Sequence, residues 1–146
     1  MNQTPTQTTI TIRHTVAAPR ETVFQAWTEP ELLARWWWPP RFATTFAIDL
    51  RPGGTYSIRS AAQPDGTVLA ISGIFREVQP PQRLVYTWRW EGADTDETLV
   101  TVVFSENAGQ TTIDLTHERF ASEGDAANNR LGWQSCLDRL TAIVGE

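Results

Sequence analysis

Residues 98–120 read TLVTVVFSENAGQTTIDLTHERF, and this stretch decides the fold. The first run, TLVTVVF, is nearly all apolar or β-branched, the composition of a buried pleated strand. ENAGQ is a turn. In TTIDLTHERF, the residues Ile113, Leu115 and His117 alternate, and a period of two puts them on one face. Two strands joined by a short polar turn predict an antiparallel hairpin.

Working outward, the same pattern repeats. RLVYTWRW aligns Leu84, Tyr86, Trp88 and Trp90. TVLAISGIFREV reads as a long strand, with Gly73 suggesting a bulge or bend. TYSIRS carries Tyr56 and Ile58, and TTFAIDL carries Phe46, Ile48 and Leu50. QPPQ, PDG and RPGG supply the turns between them. Six consecutive strands with short turns predict a meander. TTITIRHTV, with Ile10, Ile12, His14 and Val16 in phase, predicts a further strand ahead of it. PRETVFQAW and PELLARWWW read as two short helices, the second ended by Pro39-Pro40. The segment from Ser122 onward spaces Trp133, Cys136, Leu137, Leu140 and Val144 by three or four, a long amphipathic helix capped by Ser122 or Asp125. The order β-α-α-β₆-α predicts an α+β protein: a seven-stranded, curved antiparallel sheet with two short helices after strand 1 and a long C-terminal helix across its concave face. Residues 1–7 are expected to be a disordered tail, and 8–146 a single domain.

Composition narrows the function classes. The chain has 146 residues, 40% of them hydrophobic, and a formal charge of -5. Every basic residue apart from histidine is arginine, and the arginines are scattered, so no basic patch tracks a nucleic acid. Without lysine there is no Schiff-base chemistry. No apolar run approaches the roughly 20 residues needed to cross a bilayer, and the N-terminus lacks a secretory pattern; a cytoplasmic location without membrane insertion is expected. One cysteine, Cys136, excludes an internal disulfide framework and a cysteine-rich metal site. No phosphate, dinucleotide, zinc-protease or nucleophile-elbow motif occurs, so no cofactor, metal or catalytic set is assigned.

AAPRETVFQAWTEPELLARWW.P, DLRPGGTYSI, PDGT, G.F.EVQPPQRLVYTW.W, ETLVTVVF and GWQSCLDRL, in this order, resemble the AHSA1-like (activator of Hsp90 ATPase homologue-like) group of the START/Bet v 1-like (SRPBCC) superfamily. The resemblance spans residues 8–144. It implies the helix-grip fold, in which the sheet curls away from the long helix and its inner face lines a cavity. It also permits a homodimer. The group has Trp-Trp-Gly-Pro where this chain has Trp38, which puts a left-handed backbone there in doubt and sets an extra ring near the cavity mouth.

These readings give candidate site residues. In RWWWPP, consecutive helical side chains diverge by about 100 degrees, so the three rings cannot share one core. Trp36 is assigned to the core, and Trp37 and Trp38 to the mouth. From the sheet come Phe46, Tyr56, Ile58, Phe75, Tyr86, Trp88 and Val102. From the long helix come Trp133 and Leu137. His117, on the inward phase, is the one candidate acid or base. Arg119, extrapolated to the same phase, would meet an anionic group at the rim. The expected function is binding of a small apolar or aromatic molecule between sheet and helix. The alternatives are an enzyme using His117, with the balance against it, and a chaperone-interaction module.

Overall fold

A computed structural model describes residues 9–91 and 97–144; the expected tail at 1–7 lies outside them. The chain forms β1 (Ile10–Val16), α1 (Arg20–Thr28), α2 (Pro30–Leu33), a 3₁₀ turn (Pro40–Phe42), β2 (Thr45–Ile48), β3 (Thr55–Arg59), β4 (Ala70–Gln79), β5 (Arg83–Trp90), β6 (Thr98–Asn107), β7 (Gln110–Glu118) and α3 (Glu123–Val144). All seven strands join one antiparallel sheet in the order β1-β7-β6-β5-β4-β3-β2. The meander is therefore as read, and β1 closes onto β7 at the far edge.

Register carries the inward phase from strand to strand. Phe104 faces Ile113, Val102 faces Leu115, and Val100 faces His117. Tyr86 then opposes Val100, and Phe75 opposes Tyr86. The helices cover this face: Val23, Phe24 and Trp27 from α1, Leu33 from α2, and Trp133, Leu137 and Leu140 from α3 are all buried. Ser122 caps α3 by accepting from the Asp125 amide at 3.1 Å.

Two local readings are corrected. The second helix ends at Leu33 rather than running through the tryptophans. The reason is chemical: a helix continuing through Arg35 and Trp36 would need amide donors at positions 39 and 40, and both are proline. Trp38 adopts no left-handed conformation, in line with the doubt its side chain raised; among the described residues the non-glycine residues with positive φ are Ala43, Ala108 and Arg119. The bulge of β4 lies between Phe75 and Glu77, not at Gly73. Gly73 instead marks a close approach: a Cβ there would overlap the carbonyl oxygen of Thr87 on β5 and crowd the Tyr56 ring. The Tyr56 hydroxyl donates to that same carbonyl at 2.6 Å.

The close approach gives a test of the fold. Gly73→Ala must push β4 from β5, so it should cost about 1–3 kcal/mol or more. Urea unfolding of the pure variant reads this directly, and a midpoint equal to wild type would show that the strands can part freely.

Candidate functional site

Between α3 and the β4–β6 end of the sheet lies a cavity of about 470 Å³. That volume is in the range of small-molecule sites. Five of the chain's seven tryptophans line it: Trp37, Trp38, Trp88, Trp90 and Trp133. Trp88 and Trp133 lie 5.3 Å apart between centroids, and Trp37 meets Trp133 edge-on at 5.4 Å. Trp38 and Trp90 stack at 6.2 Å, 18° from parallel. Such offset and edge contacts are the arrangements aromatic quadrupoles favour.

The opposite wall is one face of α3. Asp125, Asn128, Asn129, Gly132, Ser135, Cys136 and Arg139 recur at helical spacing and line the cavity. Gly132 is the opening in this face, because a Cβ there would meet no atom within 4 Å. The Trp90 indole donates to Asn129 Oδ1 at 3.3 Å and joins the two walls at the rim.

A buried chain of hydrogen bonds joins the Trp133 ring to the main chain of Trp88. The Trp133 indole donates to His117 Nδ1 at 3.0 Å. Nδ1 is then the acceptor, so the proton of neutral His117 sits on Nε2 and is donated to Thr98 Oγ1 at 2.7 Å. Thr98 in turn donates to the Trp88 carbonyl at 3.1 Å. His117 is fully buried, and burial pulls its pKa down to about 3. Its two ring nitrogens are both engaged with protein groups, and it stands behind Thr98 and Trp133 rather than on the cavity surface.

Arg139 and Cys136 fasten the plug that carries the triple tryptophan. Arg139 donates from Nε to the Trp36 carbonyl at 3.0 Å and from Nη2 to the Trp37 carbonyl at 2.8 Å. The Cys136 thiol also donates to the Trp37 carbonyl. Burial pushes that thiol up to about 12, against a smaller opposing effect of Arg139, so it is held as the unreactive thiol near neutral pH.

The thirteen sequence candidates divide by position. Trp37, Trp38, Trp88 and Trp133 line the cavity. Tyr56, Ile58, Phe75 and Tyr86, with Trp37 and Trp88, line a separate cleft of about 30 Å³, too small for more than a water or two. Burial raises the pKa of both tyrosines, and Tyr86 accepts from the Trp27 indole at 3.3 Å. Val102 and Leu137 are core residues away from both spaces, and Phe46 packs at the edge of the core. Arg119 leaves the phase of His117, because β7 ends at Glu118 and Arg119 turns to a φ of 76° with its side chain exposed. Sequence reasoning put Trp90 on the inward face without carrying it into the site, and it did not select the polar face of α3. A glycine at mid-helix and paired asparagines beside the apolar stripe were the available signal.

Among the described residues no group of three or more metal-binding side chains forms, and no helix is long and apolar enough to cross a membrane. Residues 17–145 match the family described as Activator of Hsp90 ATPase homolog 1-like protein. No curated protein matches the sequence. Among solved structures, protein CV1439 from Chromobacterium violaceum superposes with a TM-score of 0.82 at 27% identity, over 95% of this chain and 99% of that one. CalU16 from Micromonospora echinospora gives 0.70 at 30% identity, over 90% and 73%. PFC0360w, an HSP90 activator from Plasmodium falciparum, gives 0.74 at 26% identity, over 93% and 95%.

The buried imidazole predicts a pH dependence. In the unfolded chain it takes up a proton near 6.5, but in the fold only near 3. The unfolded state thus binds more protons between those values, and stability falls as pH falls through them, by up to about 1.4 kcal/mol per pH unit. Urea midpoints from pH 7 to 5, where carboxylates stay ionised, should slope in wild type. The slope should flatten in His117→Gln; equal slopes would mean that the imidazole is protonated in the fold.

Proposed function

The chain belongs to the Activator of Hsp90 ATPase homolog 1-like family, and from that premise we propose that it binds a small apolar or aromatic molecule in the cavity between α3 and the sheet. The observation that carries this reading is the cavity of about 470 Å³ walled by five tryptophans and left open above Gly132. Glycine in a helix interior is about 1 kcal/mol less favourable than alanine. Here it leaves room that no core residue occupies. Aromatic walls offer large apolar area with few rotors to freeze, and the polar groups of α3 provide a few orienting hydrogen bonds, the composition of a ligand pocket. The enclosure of His117 by Thr98 and Trp133 favours binding over proton transfer. A chaperone-acting module is the second reading, supported by the likeness to the HSP90 activator from Plasmodium falciparum.

Gly132→Trp tests the first reading, because it sends a ring into the cavity from a helix position where an added Cβ meets no atom. The variant should fold at least as stably as wild type. Against a panel of fatty acids, sterols, polyketides and aromatic acids, wild type should show a thermal shift of several degrees. A ligand at a hundred times its Kd contributes about 2.7 kcal/mol. Gly132→Trp should abolish the shift. An unshifted wild type, together with activation of an Hsp90-type ATPase that Gly132→Trp leaves intact, would favour the second reading.

A further inference from the structure

The polar groups left over around the cavity are not balanced. Its deep end is short of acceptors. The indole N–H groups of Trp37 and Trp88, both on cavity-lining rings, are buried with no hydrogen-bond partner among the described residues. Arg139 lines the same cavity and spends three donors on oxygen: the Trp36 and Trp37 carbonyls and Ser135 Oγ, the last at 2.8 Å. A guanidinium has five N–H donors. Its remaining contact is a long one of 3.6 Å to the Cys136 sulfur. None of these partners carries a formal charge.

Among the described residues, Arg139 is the arginine that lines the cavity. Arg13, Arg51, Arg59 and Arg83 each lie within 3.1 Å of a carboxylate oxygen. Arg139 is half-buried at the cavity wall and has no carboxylate within ion-pair distance among the described residues. The acid that does line the cavity, Asp125, is fourteen residues earlier on α3, roughly 21 Å away along the axis at 1.5 Å per residue. That exceeds the screening length of about 8 Å at physiological salt, so it does not neutralise Arg139.

We propose that the cavity selects an aromatic anion, with the ring system between the tryptophans and the acidic group seated on Arg139. This inference rests on the binding reading above and specifies the ligand class. A neutral aromatic would satisfy the walls and leave the cation without a counter-charge. An anion satisfies both, and charge-assisted hydrogen bonds to guanidinium are among the stronger ones. Helical position suits the arrangement, because Arg139 is already held by the plug and loses little further freedom on binding.

The test uses two fluorescent dyes that share an anilinonaphthalene skeleton: the anionic 1-anilinonaphthalene-8-sulfonate and the neutral N-phenyl-1-naphthylamine. The readout is the ratio of their dissociation constants within one variant, so a general change in the cavity cancels. Ser135→Asp places a carboxylate four residues before Arg139, a spacing that favours the helix, and supplies the missing counter-charge internally. The ratio should move against the anionic dye by about tenfold or more in Ser135→Asp, a change of about 1.4 kcal/mol. Arg139→Gln should move it the same way; because Arg139 also holds the plug, Ser135→Asp decides the matter if that variant fails to fold. A ratio unchanged within about twofold in Ser135→Asp overturns the anion proposal while leaving the binding reading intact. If both dyes bind Gly132→Trp as they bind wild type, or neither binds either protein, the cavity is not their site and the binding reading falls with the proposal.

Discussion

Two main-chain carbonyls, those of Trp36 and Trp37, must find donors outside their own segment, and α3 provides them. Pro40 lacks the amide that would serve the Trp36 carbonyl in a continuing helix, and because the helix has already ended at Leu33 the Arg41 amide is not placed to serve Trp37. Arg139 and Cys136 meet the need with three hydrogen bonds. Buried carbonyls left unpaired would cost 1–3 kcal/mol each. The short tryptophan segment is thereby fastened to a helix a hundred residues away in sequence. Trp36 can then sit in the core, its indole donating to the Ala26 carbonyl at 2.8 Å, while Trp37 and Trp38 turn toward the cavity. The position of the plug, the location of the mouth and the placing of a cation at the wall all follow from this one clasp.

The second layer of organisation is the chain from Trp133 through His117 and Thr98 to the Trp88 carbonyl. A histidine buried in an aromatic core is costly unless both nitrogens are satisfied, and here one tautomer satisfies both. The consequence is rigidity. The Trp133 ring is tied to His117 on β7 and the main chain that carries Trp88 to Thr98 on β6, so the inner wall is set before anything enters. Such preorganisation reduces the entropy lost on binding.

Strands and the long helix were legible because their periodicities are strong. Ile113, Leu115 and His117 share a face in the sequence pattern and in the sheet, and the hairpin of residues 98–120 anchors the register of its neighbours. What could not be read was the division of the inner face. Tyr56, Phe75 and Tyr86 have the same phase and chemistry as Trp88, yet they close on one another at centroid distances of 5.4 to 5.8 Å and leave only a small cleft. Whether aromatic residues fill a space or line it depends on sheet curvature, and alternation along a strand carries no such information. The phase of Arg119 failed for a related reason: strand extrapolation runs past the point where the backbone turns left-handed. The polar face of α3 was overlooked because an amphipathic helix normally gives its polar side to solvent, and only the sheet's retreat turns part of that side inward.

The two walls of the cavity differ in how much else depends on them. Trp37, Trp88 and Trp133 are locked into the core cluster, so changing them perturbs folding. Asp125, Asn128, Gly132 and Ser135 stand on a single helix face outside that cluster, within eleven consecutive positions of the chain. Substitutions there alter the lining at little expense to the fold. The cavity thus has one wall shared with the core and one that is not. A ligand preference of the kind proposed can be altered through this short stretch of α3 without touching the core cluster. Arg139 combines the two, because it is both part of the lining and the clasp that holds the plug.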